Sequence, residues 1–155
     1  MIQKAGFIIS AMIVMMLASC KINRFEDGLR TGLWITKDEN EGSIYKSRGR
    51  FKQGRETGTW KFKHGKNIYK REKYRGNSSK LTFYHPNKKV MASGITLLDS
   101  SATGLHWYYS GDWAFFDPAG KLIKTFTYKL GVPEREVSPG NQAKKLTTDH
   151  HSNGN

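Results

Sequence analysis

The sequence predicts an all-β fold, an antiparallel β-meander of consecutive repeat hairpins, and three observations carry that prediction. Apolar or small residues alternate with cations through Tyr45-Lys-Ser-Arg-Gly-Arg-Phe51-Lys52 and again through Trp60-Lys-Phe62-Lys63. This period of two is the one at which strand side chains change faces. Such stretches end at Gly65-Lys66, Asn87-Lys88 and Gly120-Lys121, where Gly65, Asn87 and Gly120 are the residues expected to take the positive φ of a tight turn. Beyond the first nineteen residues, no segment sustains the 3.6-residue apolar period of an amphipathic helix.

The first element stands apart from that meander. Fourteen of the 57 apolar residues lie in the first nineteen positions, and Ala5 to Ala18 run without a charge behind Lys4. Crossing a bilayer takes about 20 apolar residues, so this run is short for an anchor and has the form of a helical signal peptide over residues 1–19. Leu17-Ala18-Ser19-Cys20 then resembles the lipobox of bacterial lipoproteins. The resemblance implies cleavage before Cys20 and a covalent lipid on its thiol; no other cofactor is expected. Cys20 is the sole cysteine of 155 residues, which excludes an intramolecular disulfide and a Cys-based zinc cluster. Two or three acyl chains hold a protein at a membrane where one holds it only reversibly. Lys21 follows the cysteine, not Asp, so the expected location is the bacterial cell envelope, lipid-anchored, with the outer membrane favoured where one exists.

After the cysteine the chain is polar. Residues 20–27 read as a tether and residues 138–155 as a disordered polar tail, since neither has the apolar surface to offset the entropy of ordering. Between them, residues 28–137 carry four imperfect repeats. Gly28-Leu-Arg-Thr-Gly32-Leu-Trp34 opens the first, and Gly54-Arg-Glu-Thr-Gly58-Thr-Trp60-Lys-Phe62 the second, which runs through Gly65-Lys66 to Tyr74-Arg-Gly76. A shift of 22 positions places Gly76 on Gly54 and Asn87-Lys88 on Gly65-Lys66, giving the third. Gly111-Asp-Trp113-Ala-Phe115, Gly120-Lys121 and Tyr128-Lys-Leu-Gly131 form the last. The third unit has Lys80 and Thr82 where Gly and Trp recur elsewhere, and Gly94 to Gly104 falls outside the period.

The Gly-x-Trp-x-Phe, Gly-Lys, Tyr-x-Gly scheme resembles the second variant of the MORN repeat, found in bacterial proteins often labelled YwqK-type antitoxins and in many Bacteroidota lipoproteins. The resemblance covers Gly28 to Gly131. It implies a repeat sheet used as a scaffold or binding surface, with no catalytic residues. It also raises an alternative function, neutralisation of a toxin by direct binding.

Charge is concentrated. The chain has 26 Lys plus Arg against 13 Asp plus Glu. From Lys46 to Arg75 there are 12 basic residues and only Glu56 and Glu72 as acids. On a strand, Lys46, Arg48, Arg50 and Lys52 share one face; Lys61 and Lys63 join a cationic face opposite Trp60 and Phe62, and Arg71, Lys73 and Arg75 extend it. These six residues, Lys46, Arg48, Arg50, Lys52, Lys61 and Lys63, are the candidate anion-binding face. Its expected partner is an anionic lipid, a lipopolysaccharide or an acidic polymer, within reach of the membrane that the Cys20 lipid would occupy; a protein partner is the other possibility. A basic β-face also suits single-stranded nucleic acid, but an exported lipoprotein is not expected to meet it. The same cations would serve as solvated, edge-protecting residues of a sheet, although that role does not call for so few acids.

The aromatic concentration from Trp107 to Phe116 reads as a hairpin turning near Ser110-Gly111-Asp112, its rings either packed in the core or offered as a stacking platform for sugar or peptide. His64, His85 and His106 recur every 21 residues, and three imidazoles can bind zinc. They occupy different places in the repeat and lack a clustered carboxylate, so no metal site is expected. Nucleophile-elbow, phosphate-loop and His-Glu-x-x-His motifs are absent from the sequence, and the expectation is a non-catalytic module.

Overall fold

The computed structural model describes residues 22–101, 104–140 and 144–145. The expected signal peptide over 1–19, Cys20, and most of the 138–155 tail lie outside the described residues. Eleven strands follow one another: β1 (Arg24–Glu26), β2 (Leu29–Asn40), β3 (Ser43–Lys52), β4 (Arg55–His64), β5 (Asn67–Arg75), β6 (Ser78–Tyr84), β7 (Val90–Ser101), β8 (Gly104–Phe116), β9 (Leu122–Lys129), β10 (Val132–Val137) and β11 (Lys144–Lys145). Each pairs antiparallel with its neighbours in sequence, so spatial order equals chain order. The fold is thus an all-β antiparallel meander, with no helix among the described residues.

Turn chemistry explains the hairpins. Asp27-Gly28, Glu41-Gly42, Gln53-Gly54 and Leu130-Gly131 form two-residue connections with both residues at positive φ. That is the pattern of a type I′ turn, whose twist matches the twist of its flanking strands. Gly65-Lys66 and Gly76-Asn77 have only the glycine at positive φ, as in type II′. Two longer loops, 85–89 and 117–121, repeat one backbone design: the amides of His85 and Asp117 donate to Lys89 O at 2.9 Å and Lys121 O at 3.0 Å, and those of Lys88 and Gly120 donate to His85 O and Asp117 O at 2.9 Å. The closing amides of Lys89 and Lys121 donate to side chains at different loop positions, Asn87 Oδ1 at 3.1 Å and Asp117 Oδ1 at 2.9 Å. In the first loop Lys88 takes the positive φ of 69°, not Asn87 as expected from the sequence. Asn87 is instead held by its side chain, which also donates to Pro118 O at 2.7 Å.

The boundaries also differ from expectation. Within the presumed tether, β1 pairs with β2, and Asn23 extends the ladder by donating from Nδ2 to Ile35 O at 2.8 Å and accepting from Ile35 N at 2.7 Å. Within the presumed tail, Lys144 and Lys145 pair with Glu136 and Arg135.

The Ser110-Gly111-Asp112 segment is not a turn. It lies inside β8, which continues from Gly104 to Phe116. Ser93 faces Ala114 and Ile95 faces Ser110, so the strand carries two extra residues opposite Gly94 and bulges there. The same irregularity occurs in β4, where Arg48 faces Lys61 and Arg50 faces Thr57. Both bulges contain a glycine with φ 64°, Gly58 or Gly111, and a tryptophan two residues on. The tryptophan lies over a glycine of the preceding strand: a Cβ on Gly49 would stand 2.0 Å from the Trp60 ring, and one on Gly94 2.2 Å from the Trp113 ring. Each indole then donates from Nε1 to the next carbonyl, Trp60 to Arg50 O at 3.2 Å and Trp113 to Ile95 O at 3.1 Å. At Gly58 and Gly111 the Gly-x-Trp pattern is therefore a bulge that lays an indole flat on its neighbour strand, whereas the Trp34 indole donates to Thr31 O of its own strand at 3.0 Å. Gly94, which fell outside the sequence period, holds the same structural place as Gly49.

These indoles anchor one face of the sheet. Trp34, Phe51 and Trp60 form a buried cluster with Phe62 and Tyr74 against it. A second group forms around Trp113, 1% exposed, with Tyr109 at 4.2 Å, Tyr128 at 6.2 Å and Phe83 at 6.4 Å. Edge-to-face pairs within them each add roughly 0.5–1.5 kcal/mol beyond burial.

Candidate anion-binding face

Antiparallel register decides which side chains become neighbours. Thr36, Ser47, Phe62, Lys70, Phe83, Ala92 and Phe115 lie in one cross-strand row on the aromatic face. One residue along each strand, Ile35, Arg48, Lys61, Arg71, Thr82, Ser93 and Ala114 form a row on the opposite face. The alternation read from the sequence therefore separates cations from rings. In the second half of that row the cations give way to Thr, Ser and Ala.

On β2 to β5, like charges stand directly opposite one another. Lys37 faces Lys46, which faces Lys63; Arg48 faces Lys61, which faces Arg71. Adjacent strands lie about 4.8 Å apart, so each row sets three cations within two strand spacings. All six predicted residues are exposed. Among the described residues the ion pairs are Arg24 with Glu26 and Lys70 with Glu72, and no carboxylate lies within 4 Å of any of the six. Directly opposed like charges are destabilising in a sheet, and the acid nearest the first row on this face, Glu39, stands across from Ile44 and not across from a cation.

The cations line a shallow groove of about 640 Å³. Lys46, Arg48, Arg50, Lys61 and Lys63 contribute to it, with Leu33, Ile35 and Ile68 as apolar wall. Lys52 is outside this lining: it faces Arg55 at the end of the β3–β4 hairpin. A second groove of about 450 Å³ adjoins the first through Lys63 and Ile68, and adds Lys66, Arg71, Tyr84 and Lys88. Arg71 lies over the Tyr84 ring at 5.6 Å.

The opposite face holds a polar group that sequence reading missed. Glu72, 8% exposed, occupies the centre of β5 across from Trp60 and Leu81. It accepts a hydrogen bond from the Tyr74 hydroxyl and an ion pair from Lys70 Nζ at 2.8 Å, and Lys70 also sits 4.0 Å from the Phe62 ring centroid. These residues close the second unit against β6 of the third, which lacks the Gly and Trp of the others, and β5–β6 pairs without a bulge. Burial, then the hydrogen bond and charge of Glu72, push the Tyr74 hydroxyl well above the usual phenol range.

The other candidates are dispersed. Tyr45 stacks on His64 at 4.6 Å, His85 Nε2 contacts Phe116 O at 2.9 Å, and His106 faces Asp99 in β7. Among the described residues, no three His, Cys, Asp or Glu side chains converge. Trp107 packs edge-on against Tyr74, and Tyr109, Trp113 and Phe115 sit within the aromatic face. The nearly sealed Trp113 offers no free ring face to a sugar.

No family model matches the chain, and no curated protein matches it. Among solved structures, it is similar to a chain in the crystal structure of the GtfA/B complex, at 7% identity and a TM-score of 0.27. The alignment covers 77% of this chain and 22% of that one, so this chain spans less than a quarter of its length.

Proposed function

We propose that this protein is a membrane-anchored lipoprotein of the bacterial cell envelope, tethered through Cys20, whose MORN-like β-repeat domain is a non-catalytic module that binds an anionic envelope component. One observation supports this above all: five cations of β3 and β4 are set side by side in one groove, flanked in register by Lys37 on β2 and Arg71 on β5, with no carboxylate in the groove lining. A solvated face built only to keep a sheet soluble would intersperse both signs. Keeping one sign at the cost of cross-strand repulsion favours a partner that brings the opposite charge. Leu33, Ile35 and Ile68 beside the cations suit a partner with apolar as well as charged surface.

The test is retention of envelope material by the full chain. The immobilised protein should hold anionic lipid or glycan at low ionic strength and release it as salt approaches about 1 M, where charges are screened beyond ~3 Å. Reversal of Lys46, Arg48, Arg50, Lys61 and Lys63 to Glu should abolish retention. Material held equally well in high salt, or by the reversed variant, would refute the reading.

A further inference from the structure

We infer that the two adjoining grooves form a single track for a linear polyanion, a polysaccharide with one carboxylate per sugar ring, lying across strands β2 to β6 and not along them. The inference rests on the anion-binding reading of this face and names the class of its ligand. The grooves share Lys63 and Ile68, so they lie side by side on one face and a chain leaving one meets the other at that pair. In the cross-strand direction a cation stands on each of three successive strands, as Lys37, Lys46 and Lys63 or as Arg48, Lys61 and Arg71. Their repeat is the strand separation, about 4.8 Å, and a uronic acid chain repeats its charge once per ring on a similar scale. A single phosphate could engage only one step of such a ladder.

The remaining lining fits the rest of that polymer. Pyranose rings present C–H faces, and the track supplies Leu33, Ile35, Ile68 and Tyr84 to meet them. A flat headgroup surface would touch only the groove rims. Single-stranded nucleic acid calls for several exposed rings on which bases stack, whereas the track offers only Tyr84 and the other rings of β3 and β4 lie on the opposite face.

The experiment is a titration of the full chain in uncharged detergent with galacturonic acid and its trimer and octamer, alongside short-chain phosphatidylglycerol mixed into the same detergent micelles and oligothymidylate of the octamer's charge. The octamer is expected to bind about tenfold or more tighter than the trimer, and the monomer not to compete. Lys46→Glu/Lys63→Glu should lose about tenfold or more of the octamer affinity, while Lys129→Glu, at the far end of β9, leaves it unchanged. Should the reversed pair shift the thermal melt, Lys46→Gln/Lys63→Gln reads the same row. Equal affinity per carboxylate for trimer and octamer, or preference for the phosphatidylglycerol headgroup or oligothymidylate, overturns the polysaccharide track while leaving the anion-binding face standing. Failure of all these probes to bind overturns both.

Discussion

Two glycines that make no turn carry much of the architecture. Gly49 and Gly94 lie mid-strand, each beneath an indole that a Cβ would enter. The rings cannot slide aside without breaking the Nε1 bonds to Arg50 O and Ile95 O. Gly49→Ala is therefore expected to destabilise by roughly 2–3 kcal/mol through overpacking, and Trp60→Ala by roughly 3–5 kcal/mol through lost burial. In the double variant the added methyl meets no ring, so the two effects should fall well short of additive in urea titrations; simple additivity would show that the methyl and indole do not meet. Tyr74 makes a second prediction. Its folded-state proton is held above the range where an unfolded tyrosine loses it, near pH 10. This contribution to stability is fully present below about pH 10 and is lost as pH rises further. Tyr74→Phe should flatten the alkaline limb of a pH–stability profile, leaving a remnant from Tyr128, which burial and then Tyr109 also raise. At neutral pH it should cost roughly 1.5–3 kcal/mol, because the buried Glu72 loses a charged hydrogen bond. An unchanged alkaline limb would place the effect elsewhere.

Strand pairs convert residue identity into a field. Lys46 stands between Lys37 and Lys63, so Lys46→Glu replaces two repulsions by two attractions. For these exposed groups the expected gain is about 0.5–1 kcal/mol, seen as a melting temperature higher by roughly 2–5 °C, with Lys46→Gln gaining less. A stability unchanged or lowered in both variants would show that these cations do not repel one another. The faces themselves were legible in the sequence, because alternation through 45–52 and 60–63 needs no knowledge of partners. Which cations become neighbours was not, since Lys37 and Arg71 join Lys46 and Lys61 only through register, and register depends on turn lengths and on the β4 and β8 bulges. Gly111 illustrates the difficulty: a glycine between polar residues signals a turn and a bulge equally, and only pairing with β7 decides. Gly49 did carry a readable signal, as a glycine inside an alternating strand marks close approach by another group. Glu72 carried none, for its burial follows from lying across from Trp60 and Leu81.

At the scale of the molecule, a meander in which spatial order equals chain order distributes its stability along one dimension. Strand contacts run between sequence neighbours, with β7–β8, β2–β3 and β3–β4 the most extensive, and the two aromatic groups sit toward opposite ends. One runs through Phe25, Trp34, Phe51 and Trp60 to Phe62; the other joins Phe83, Tyr109, Trp113 and Tyr128. Between them lies the β5–β6 unit, where Glu72, Tyr74 and Lys70 stand in place of an indole on a glycine. In repeat arrays of this kind stability is a sum of unit terms and nearest-neighbour interfaces, so opening need not be global. Trp34→Ala removes the ring that joins Phe25 to Phe51 and should cost roughly 3–5 kcal/mol locally. Native-state hydrogen exchange is expected to show amide protection lost through β1 to β3 while β7 to β9, held by Trp113, keep theirs. A uniform loss of protection in all strands would show instead that the polar β5–β6 unit transmits cooperativity, and that the sheet opens as one body.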